Sequence, residues 1–383
     1  MATKEDTDPG FNALRILKEE WALVASVVTT ALFLLFGAGW MADLSTPLWF
    51  GFILIWLFTV ILFSAFAIVH HAESLAIILG EPLGTLVLTL SVIGVEVLMI
   101  SAVMLTGEGK PTIARDTMFS VVMTLLGGMT GISLLLGGLK HHEQKYNLQG
   151  AVAFLALIIP LAIIGMILPN FTTTSHDGTY SAFQSIFIAI MAAGIYLTFL
   201  AVQTNRHQEF FKDPRLKDQD FEDDVHLYEE HEVRSTPYHA IFLILYILPL
   251  VVLAKQLAVP LQYATNKFSA PPVLSGFIVG VLILTPEAIS AVKAALHNQL
   301  QRSVNILLGS VLATIGLTVP AVLIIGLITD QKIILGLSAV DSILLATLLI
   351  VSTLTFSNTR TNALLGAVHL LMFFAYLMLM FQG

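Results

Sequence analysis

The chain has 383 residues, of which 56% are hydrophobic and only 11% are charged, with 18 Lys and Arg against 26 Asp and Glu. A soluble domain carries about 25% charged residues, so this composition excludes a soluble enzyme and predicts an integral membrane protein. The acidic balance excludes nucleic-acid binding, which needs a basic surface. The absence of cysteine excludes disulfides, thiol catalysis and cysteine-ligated metal sites.

Eleven apolar runs are long enough for membrane spans, since a bilayer core takes about 20 helical residues. They are 21–40, 46–69, 82–106, 116–139, 149–169, 181–203, 239–257, 272–297, 303–328, 341–357 and 362–381. The sequence therefore predicts an all-α polytopic membrane protein with about 11 transmembrane helices. The first run follows an acidic segment rather than a basic one, and no cleavage site follows it, so it is not predicted to be a signal peptide.

The basic residues predict the orientation, because Lys and Arg concentrate on the cytoplasmic side of a membrane protein. Thirteen of the 18 lie on the same side as the N-terminus. The five on the other side are Lys110, Arg115, Lys255, Lys267 and Lys332. We therefore expect a cytoplasmic N-terminus, an odd number of spans and a C-terminus outside.

One long acidic segment divides the chain. Residues 1–45 form an N-terminal tail and first helix, residues 46–203 a first half, residues 204–238 the acidic segment and residues 239–383 a second half. The segment holds ten of the 26 acidic residues. It lacks the ligand spacing of an EF-hand, so it is predicted to be a solvated cytoplasmic loop.

The two halves contain an internal repeat, at 80–139 and 272–328. In each copy an apolar helix begins near a glycine, ends at Glu96 or Glu287 and continues into Ser-Ala-Val. The next span in each copy carries Ser-Val-x-x-Thr, at 120–124 and 310–314. Because five spans separate the copies, they are predicted to cross the membrane in opposite directions, like the inverted repeats of secondary transporters.

Glu96 and Glu287 stand out because almost every other acidic residue lies in a loop or at a span end. An ionised carboxylate inside a bilayer costs at least about 2.5 kcal/mol, so it must be protonated, paired or bound to a cation. No Lys or Arg lies deep in a span, which excludes a buried ion pair. We predict that both glutamates bind protons and a metal cation in competition, which is what antiport requires; the alternative is a protonated structural glutamate.

Hydroxyl side chains near the two glutamates are the predicted supporting ligands, because Ca²⁺ takes six to eight oxygens and two carboxylates supply at most four. For each of them the alternative is a hydrogen bond to its own helix. The supporting residues are Thr89, Ser120, Thr124, Thr285, Ser310 and Thr314.

Several histidines are weaker candidates. His70, His71 and Glu73 follow the second predicted span, where an interfacial cap is favoured over a proton relay. His369 is alone on an apolar helix and is predicted to be structural.

Several motifs resemble the Ca²⁺/cation antiporter superfamily, and in particular its bacterial ChaA-type calcium (sodium/potassium)/proton antiporters. These motifs are Gly80-Glu-Pro-Leu-Gly84, the Glu96 segment, Leu284-Thr-Pro-Glu-Ala288, Leu308-Gly-Ser310, Arg360-Thr-Asn362 and Gly366-Ala-Val-His369. The resemblance implies ten core helices in two inverted halves plus an extra N-terminal helix. It also implies a bacterial inner-membrane protein without a resident cofactor.

The implied activity is exchange of Ca²⁺ for H⁺, often with Na⁺ or K⁺ exchange, at Glu96 and Glu287. The chain departs from the Ca²⁺/H⁺ exchangers of that family. Their Gly-Asn-Ala-x-Glu is Ile93-Gly-Val-Glu96 here, without an Asn, and Ala288 stands where they have His. Fewer side-chain oxygens leave a Na⁺(K⁺)/H⁺ antiporter with little Ca²⁺ transport as the alternative.

Two rival functions belong to other classes. A cation channel places rings of carbonyls or charges around a symmetric axis, which one chain with two unequal halves fits poorly. An intramembrane enzyme or ATP-driven pump is not indicated, because the sequence lacks His-Glu-x-x-His, Gly-x-Ser-x-Gly and a phosphate-binding glycine loop.

Overall fold

The computed structural model describes residue 16 and residues 18–80, 83–104, 111–175, 177–214, 234–271 and 273–382. Residues 215–233 of the predicted acidic loop and the side chain of Thr89 lie outside this description. The predictions made for them stay predictions.

The described chain is almost entirely helical. The first helices are α1 (Trp21–Met41), α2 (Pro47–Leu79), α3 (Leu83–Met104), α4 (Ile113–Val122), α5 (Thr130–His141), α6 (Leu148–Ala162) and α7 (Ala182–Ala201). The later helices are α8 (Thr236–Lys267), α9 (Val273–Leu296), α10 (Leu300–Ala313), α11 (Val319–Thr329), α12 (Ala339–Thr355) and α13 (Ala363–Gln382). Strand β1 (Glu143–Lys145) pairs antiparallel with β2 (Arg360–Asn362).

These helices form the membrane spans that the sequence predicts. Within the described residues, nine helical segments are long and apolar enough to cross a membrane, and two shorter apolar ones lie at Leu90–Ser101 in α3 and at Ala339–Thr355. The α4–α5 and α10–α11 pairs each form one continuous span. The predicted all-α polytopic fold is confirmed.

The order of elements repeats along the chain. After α1, five spans from α2 to α7 are followed by five more from α8 to α13. The third span of each half is interrupted at the same place by a π-helical segment, Met123–Met129 in the first half and Thr314–Thr318 in the second. Since five is odd, the second half crosses the membrane in the opposite direction to the first.

Buried apolar side chains form two clusters that meet at the helices carrying the two glutamates. One cluster gathers α1, α2 and α8, and the other gathers α4–α7 and α10–α13. Helix α3 contributes Val95 to the first and Ile93 to the second, and α9 contributes Leu282 to the first and Leu284 to the second. Glu96 and Glu287 therefore lie at the junction between two packed bodies.

Two helices are longer than the sequence predicts. Helix α2 has 33 residues and α8 has 32, so the predicted ends at residues 69 and 257 were wrong. In α2, polar side chains do not end the helix, because His71 is 1% exposed and packed among polar partners. Helix α8 continues through Pro249 and Pro260.

Candidate cation-binding site

Glu96 lies in the middle of the molecule, on α3, with 3% of its surface exposed. Its Oε2 accepts a hydrogen bond from Thr314 Oγ1 at 2.8 Å, and its Oε1 accepts one from Thr318 Oγ1 at 3.3 Å. Both threonines belong to the π-helical segment of the second half. The carboxylate of one repeat is thus held by hydroxyls of the other.

Glu287 lies on α9 and is more accessible, with an intermediate exposure. Its Oε2 accepts a hydrogen bond from Ser310 of α10, which belongs to the same half. The hydroxyl of the neighbouring Thr285 does not donate to a carboxylate, because it donates to the Val281 carbonyl of its own helix at 2.7 Å.

A line of glycines on α9 allows this helix to approach the first repeat. A Cβ on Gly276 would lie 3.0 Å from Thr117 Oγ1 and 3.1 Å from Thr117 N, and one on Gly280 would lie 3.2 Å from Val121 Cγ2. Contacts this short are tighter than ordinary van der Waals packing, so a side chain here would have to displace its neighbours. The absence of side chains at these positions brings the helix of Glu287 directly against α4.

The π-helical segment of the second half presents its hydroxyls to Glu96. Pro320 follows the segment closely, and it has no N–H to continue the ordinary helical hydrogen bonds. Segments of this kind interrupt α-helices most often at functional sites. Thr314 and Thr318 are four residues apart, so both hydroxyls point to one side.

The corresponding hydroxyls of the first half do not reach a carboxylate. Ser120 Oγ donates to the Asp116 carbonyl at 2.6 Å and lies 2.7 Å from the hydroxyl of Tyr376. Thr124 Oγ1 is buried and has no hydrogen-bond partner among the described residues. Of the predicted supporting residues, the structure brings Ser310 and Thr314 onto the glutamates and turns Ser120 and Thr285 elsewhere.

Sequence reasoning missed Thr318 and Tyr376. Thr318 continues the four-residue spacing of Ser310 and Thr314, so the spacing itself was a usable signal. Tyr376 meets Ser120 across 256 residues of sequence, and no local pattern indicates that contact.

His369 has the structural role that was predicted for it. Its Nδ1 lies 2.5 Å from the carbonyl oxygen of Leu126, inside the first π-helical segment, and its Nε2 lies 2.9 Å from Thr355 Oγ1. Another carbonyl of that segment, Leu125, accepts from Thr130 Oγ1 at 2.8 Å. These side chains supply hydrogen bonds where the helix is irregular.

The negative charge of the site favours the binding of a proton or a cation that can leave again. Among the described residues, no Lys, Arg or His forms a salt bridge with Glu96 or Glu287. The two carboxylates are close enough to interact through their charges, and Glu73 of α2 acts on Glu287 in the same way. A pair of ionised carboxylates without a counter-charge is relieved by taking up protons or a cation.

The described residues contain no group of three or more His, Cys, Asp or Glu side chains that could hold a metal ion. A bound cation would therefore take two carboxylates at most, and hydroxyls, backbone carbonyls or water would complete its coordination. The ligands of such a site carry less negative charge than those of a dedicated site for a divalent ion.

The model of the sodium/calcium exchanger protein family matches residues 49–205 and 238–382. The chain is 42% identical over 321 residues to the sodium-potassium/proton antiporter ChaA of Escherichia coli, which covers 84% of this chain and 86% of that protein. It is 25% identical over 344 residues to a Ca²⁺/H⁺ antiporter of Synechocystis, covering 84% and 90%. The curated relatives named here are transporters.

A solved structure, that of native YfkE, has the same fold. It superposes with a TM-score of 0.70 over 94% of this chain and 100% of the other, at 18% sequence identity. The similarity extends over both halves.

Proposed function

The chain belongs to the sodium/calcium exchanger protein family, and from this premise we propose that it is a secondary transporter that exchanges cations for protons by alternating access. Glu96 and Glu287 are the groups that bind either load. The single observation that carries this proposal is the pair of carboxylates within the membrane-spanning helices, each hydrogen-bonded by at least one hydroxyl and neither paired with a basic residue that the structure describes.

Competition for the same oxygens gives the exchange its coupling. A cation can neutralise the carboxylates only after their protons leave, and protons can return only when the cation has gone. Because an uncompensated carboxylate at this depth is costly, the empty ionised site resists rearrangement. The transporter therefore changes conformation when loaded with protons or with a cation, and an uncoupled leak is suppressed.

Na⁺ and K⁺ are the favoured cations. The more similar of the two curated relatives described above is named a sodium-potassium/proton antiporter. The oxygen donors also fit a low-charge ion, because the hydroxyls of Thr314, Thr318 and Ser310 outnumber the two carboxylates.

Ca²⁺ is the second candidate, and the sequence placed it first. Two carboxylates on facing repeats supply the negative charge that a divalent ion favours. The Synechocystis relative is named a Ca²⁺/H⁺ antiporter. Two features weigh against Ca²⁺ as the main substrate: the missing Asn near Glu96, and the lack of a group of three acidic or histidine ligands in the part of the chain that the structure describes.

The predicted orientation completes the proposal: a cytoplasmic N-terminus in a bacterial inner membrane, with the C-terminus outside. Thirteen of the 18 basic residues support it. Glu287 is partly exposed, and in this orientation the end of α2 that carries Glu73 lies on the cytoplasmic side, so we place the open side of the site there.

The test uses inside-out vesicles with an imposed acid interior and a pH-sensitive dye. NaCl, KCl and CaCl₂ are added separately, and proton efflux is followed. We expect efflux with NaCl and KCl, a weaker response to CaCl₂, and no response in Glu96→Gln or Glu287→Gln. Glu143→Gln is the matched control, because that carboxylate is exposed and pairs with Arg360 at 3.0 Å, away from the site.

The outcomes separate the alternatives. Normal exchange in both site variants would contradict the assignment of the two glutamates. A response to CaCl₂ alone would replace the monovalent proposal with the Ca²⁺ one. Cation flux without proton movement would indicate a channel.

A further inference from the structure

A second group of titratable side chains lies outside the exchange site, where the extra N-terminal helix packs against the two halves. A cavity of about 550 Å³ opens there between α1, α2 and α8. Its lining includes Glu20, His71, His239 and Tyr246. Three of them, Glu20, His71 and His239, are buried, with 8%, 1% and 3% of their surfaces exposed.

Glu20 connects α1 to both halves of the protein. It sits at the N-cap position of α1, but its side chain does not cap that helix. Its Oε2 instead lies 3.3 Å from Nε2 of His71 on α2 and accepts from the hydroxyl of Tyr246 on α8 at 2.9 Å. Its Oε1 accepts from the hydroxyl of Tyr238, also on α8, at 2.5 Å.

The two buried histidines form a hydrogen bond whose direction the neighbours determine. Nδ1 of His71 and Nδ1 of His239 are 3.0 Å apart, so one of them donates. Because Glu20 can only accept, Nε2 of His71 carries a proton, and in the neutral ring Nδ1 is then the acceptor. His239 must therefore donate through its Nδ1, and its Nε2 has only a lone pair.

That lone pair has no partner. Nε2 of His239 is a buried nitrogen without a hydrogen bond among the described residues. A buried polar atom left unpaired costs about 1–3 kcal/mol, so it needs an explanation. This nitrogen ends the hydrogen-bonded series that runs from Glu20 through His71 to His239, and the simplest ligand for its lone pair is a proton.

We propose that His71 and His239 together bind one proton, separate from those at Glu96 and Glu287, and that this proton fastens α1 to the two halves. The proton arrives at Nε2 of His239. The Nδ1 proton of His239 then passes to Nδ1 of His71, and no heavy atom moves. The product is an imidazolium at His71 whose Nε2–H donates to the carboxylate of Glu20, with His239 again neutral.

The charged neighbours on each packed element are consistent with a single proton. From α1 the pair is faced by Glu20, and Glu19 is paired with Arg234, which precedes α8. From α2 it is faced by His70, whose ring centre is 6.2 Å from that of His239. A second proton would place two imidazolium rings in contact, beside only one carboxylate.

Glu20 itself does not titrate in the neutral range. Burial raises its pKa, but the hydrogen bonds from His71 and the two tyrosines outweigh that effect and lower the pKa to about 2. Glu20 is therefore a permanent negative charge that attracts the proton on the histidine pair. Before protonation, a neutral imidazole donates to this carboxylate; after protonation, the donor also carries a charge, so the contact between α1 and α2 becomes an ion pair.

The consequence for transport follows from the position of the cluster. Helices α1, α2 and α8 form one of the two packed bodies that meet at the exchange site, so a proton that fastens α1 to the other two restrains movement within that body. Acidification on the N-terminal side tightens this restraint and alkalinisation loosens it. This consequence rests on the proposed exchange function, whereas the proton site itself does not.

The proton site is tested by solid-state ¹⁵N NMR of ring-labelled histidine in the full-length protein in lipid bilayers. The chain has 11 histidines, and difference spectra with His71→Gln and His239→Gln assign the pair. At alkaline pH we expect His71 protonated at Nε2 and His239 at Nδ1. On acidification one imidazolium should appear, and Glu20→Gln should move its midpoint down by at least about one pH unit, because the mutation removes the neighbouring negative charge. His297→Gln is the control, because His297 is exposed and its ring contacts the Lys293 carbonyl away from the cluster.

Two independent imidazolium signals, or a midpoint that Glu20→Gln does not move, would overturn the proposal. Should Glu20→Gln prevent folding, Tyr246→Phe provides the second variant, since it removes one donor from Glu20 and keeps the charge and both rings. It should raise the midpoint, the opposite of the effect of Glu20→Gln, because Glu20 has then lost one hydrogen-bond donor and depends more on His71. The imidazolium should therefore persist to higher pH. An unchanged midpoint in a folded Tyr246→Phe protein would contradict the coupling.

The docking of α1 is measured separately. The chain contains no cysteine, so a spin-label pair at Val28→Cys and Ile244→Cys, both exposed on their helices, reports only the α1–α8 distance. We expect a narrower distance distribution at acidic than at alkaline pH, and no pH effect in His71→Gln. A pH-independent distribution in the unmutated cluster would overturn the fastening step even if exchange activity were normal.

Discussion

The two carboxylates of the site are equivalent in sequence and differ in their surroundings. Glu96 is 3% exposed and is held by two threonines of the opposite half, whereas Glu287 is partly exposed and is held by one serine of its own half. A repeat in sequence thus does not mean equal environments. This difference in exposure is expected of a transporter whose binding site is accessible from one side of the membrane at a time, here through Glu287.

The hydroxyls show the same asymmetry. Ser310 contacts Glu287, but its counterpart Ser120 contacts Tyr376; Thr314 contacts Glu96, but its counterpart Thr124 has no partner that the structure describes. If the halves exchange roles in the opposite conformation, Ser120 takes Glu96 and Thr124 takes Glu287. Mutations of these hydroxyls and of Tyr376 therefore test the asymmetry between the two halves.

Thr314→Val should have the largest effect of this set. It removes a hydrogen bond to a carboxylate, which is worth about 1.5–3 kcal/mol, or roughly ten- to a hundredfold in a binding constant. We expect the cation concentration for half-maximal exchange to rise by that factor in the vesicle assay. Thr285→Val is the control, since that hydroxyl bonds its own helix, and an equal effect of the two changes would refute the difference.

Tyr376→Phe should have a smaller effect. It frees Ser120 from the contact that keeps it away from Glu96 and so favours the opposite conformation. A net neutral hydrogen bond is worth about 0.5–1.5 kcal/mol, so cation affinity on the N-terminal side should fall about two- to tenfold. Tyr146→Phe, which removes another buried hydroxyl, bonded to Asn358, controls for lost stability; matching losses in both variants would argue against a role for Ser120.

Thr124→Val should have the smallest effect in the observed conformation. Its hydroxyl has no partner there among the described residues, so Val of similar shape should leave thermal stability and cation affinity on the N-terminal side unchanged. Affinity on the opposite side, measured in right-side-out vesicles, should fall. A loss confined to the N-terminal side would mean that Thr124 already serves the site in this conformation.

Most of the fold could be predicted from the lengths of the hydrophobic runs and from the positions of the two acids. All eleven predicted spans coincide with helices. An apolar run in a bilayer finds no water to hydrogen-bond its backbone, so it must form those hydrogen bonds within its own helix. The end of α2 was misjudged because His70 and His71 were taken as a boundary. A polar residue marks a span end only if water meets it, and here Glu20 and His239 meet His71 instead.

The candidate site was predictable where it is local and symmetric. The order of Glu, Ser and Thr in each repeat pointed to Ser310 and Thr314, which contact the glutamates. It pointed equally to Ser120 and Thr124, which do not contact the glutamates. A sequence repeat does not reveal which of the two possible conformations the protein adopts. Contacts across the chain, such as Tyr376 with Ser120, depend on packing that a single sequence does not reveal.

The threonines that reach across to Glu96 bear on how such a protein could have arisen. Neither half encodes a complete binding site, since the acid of the first half depends on hydroxyls of the second. The cluster of α1, α2 and α8 likewise draws its helices from both halves and from the N-terminal extension. A single ancestral half could have worked only as a pair of oppositely inserted copies, and fusion into one chain then allowed the two acids to diverge.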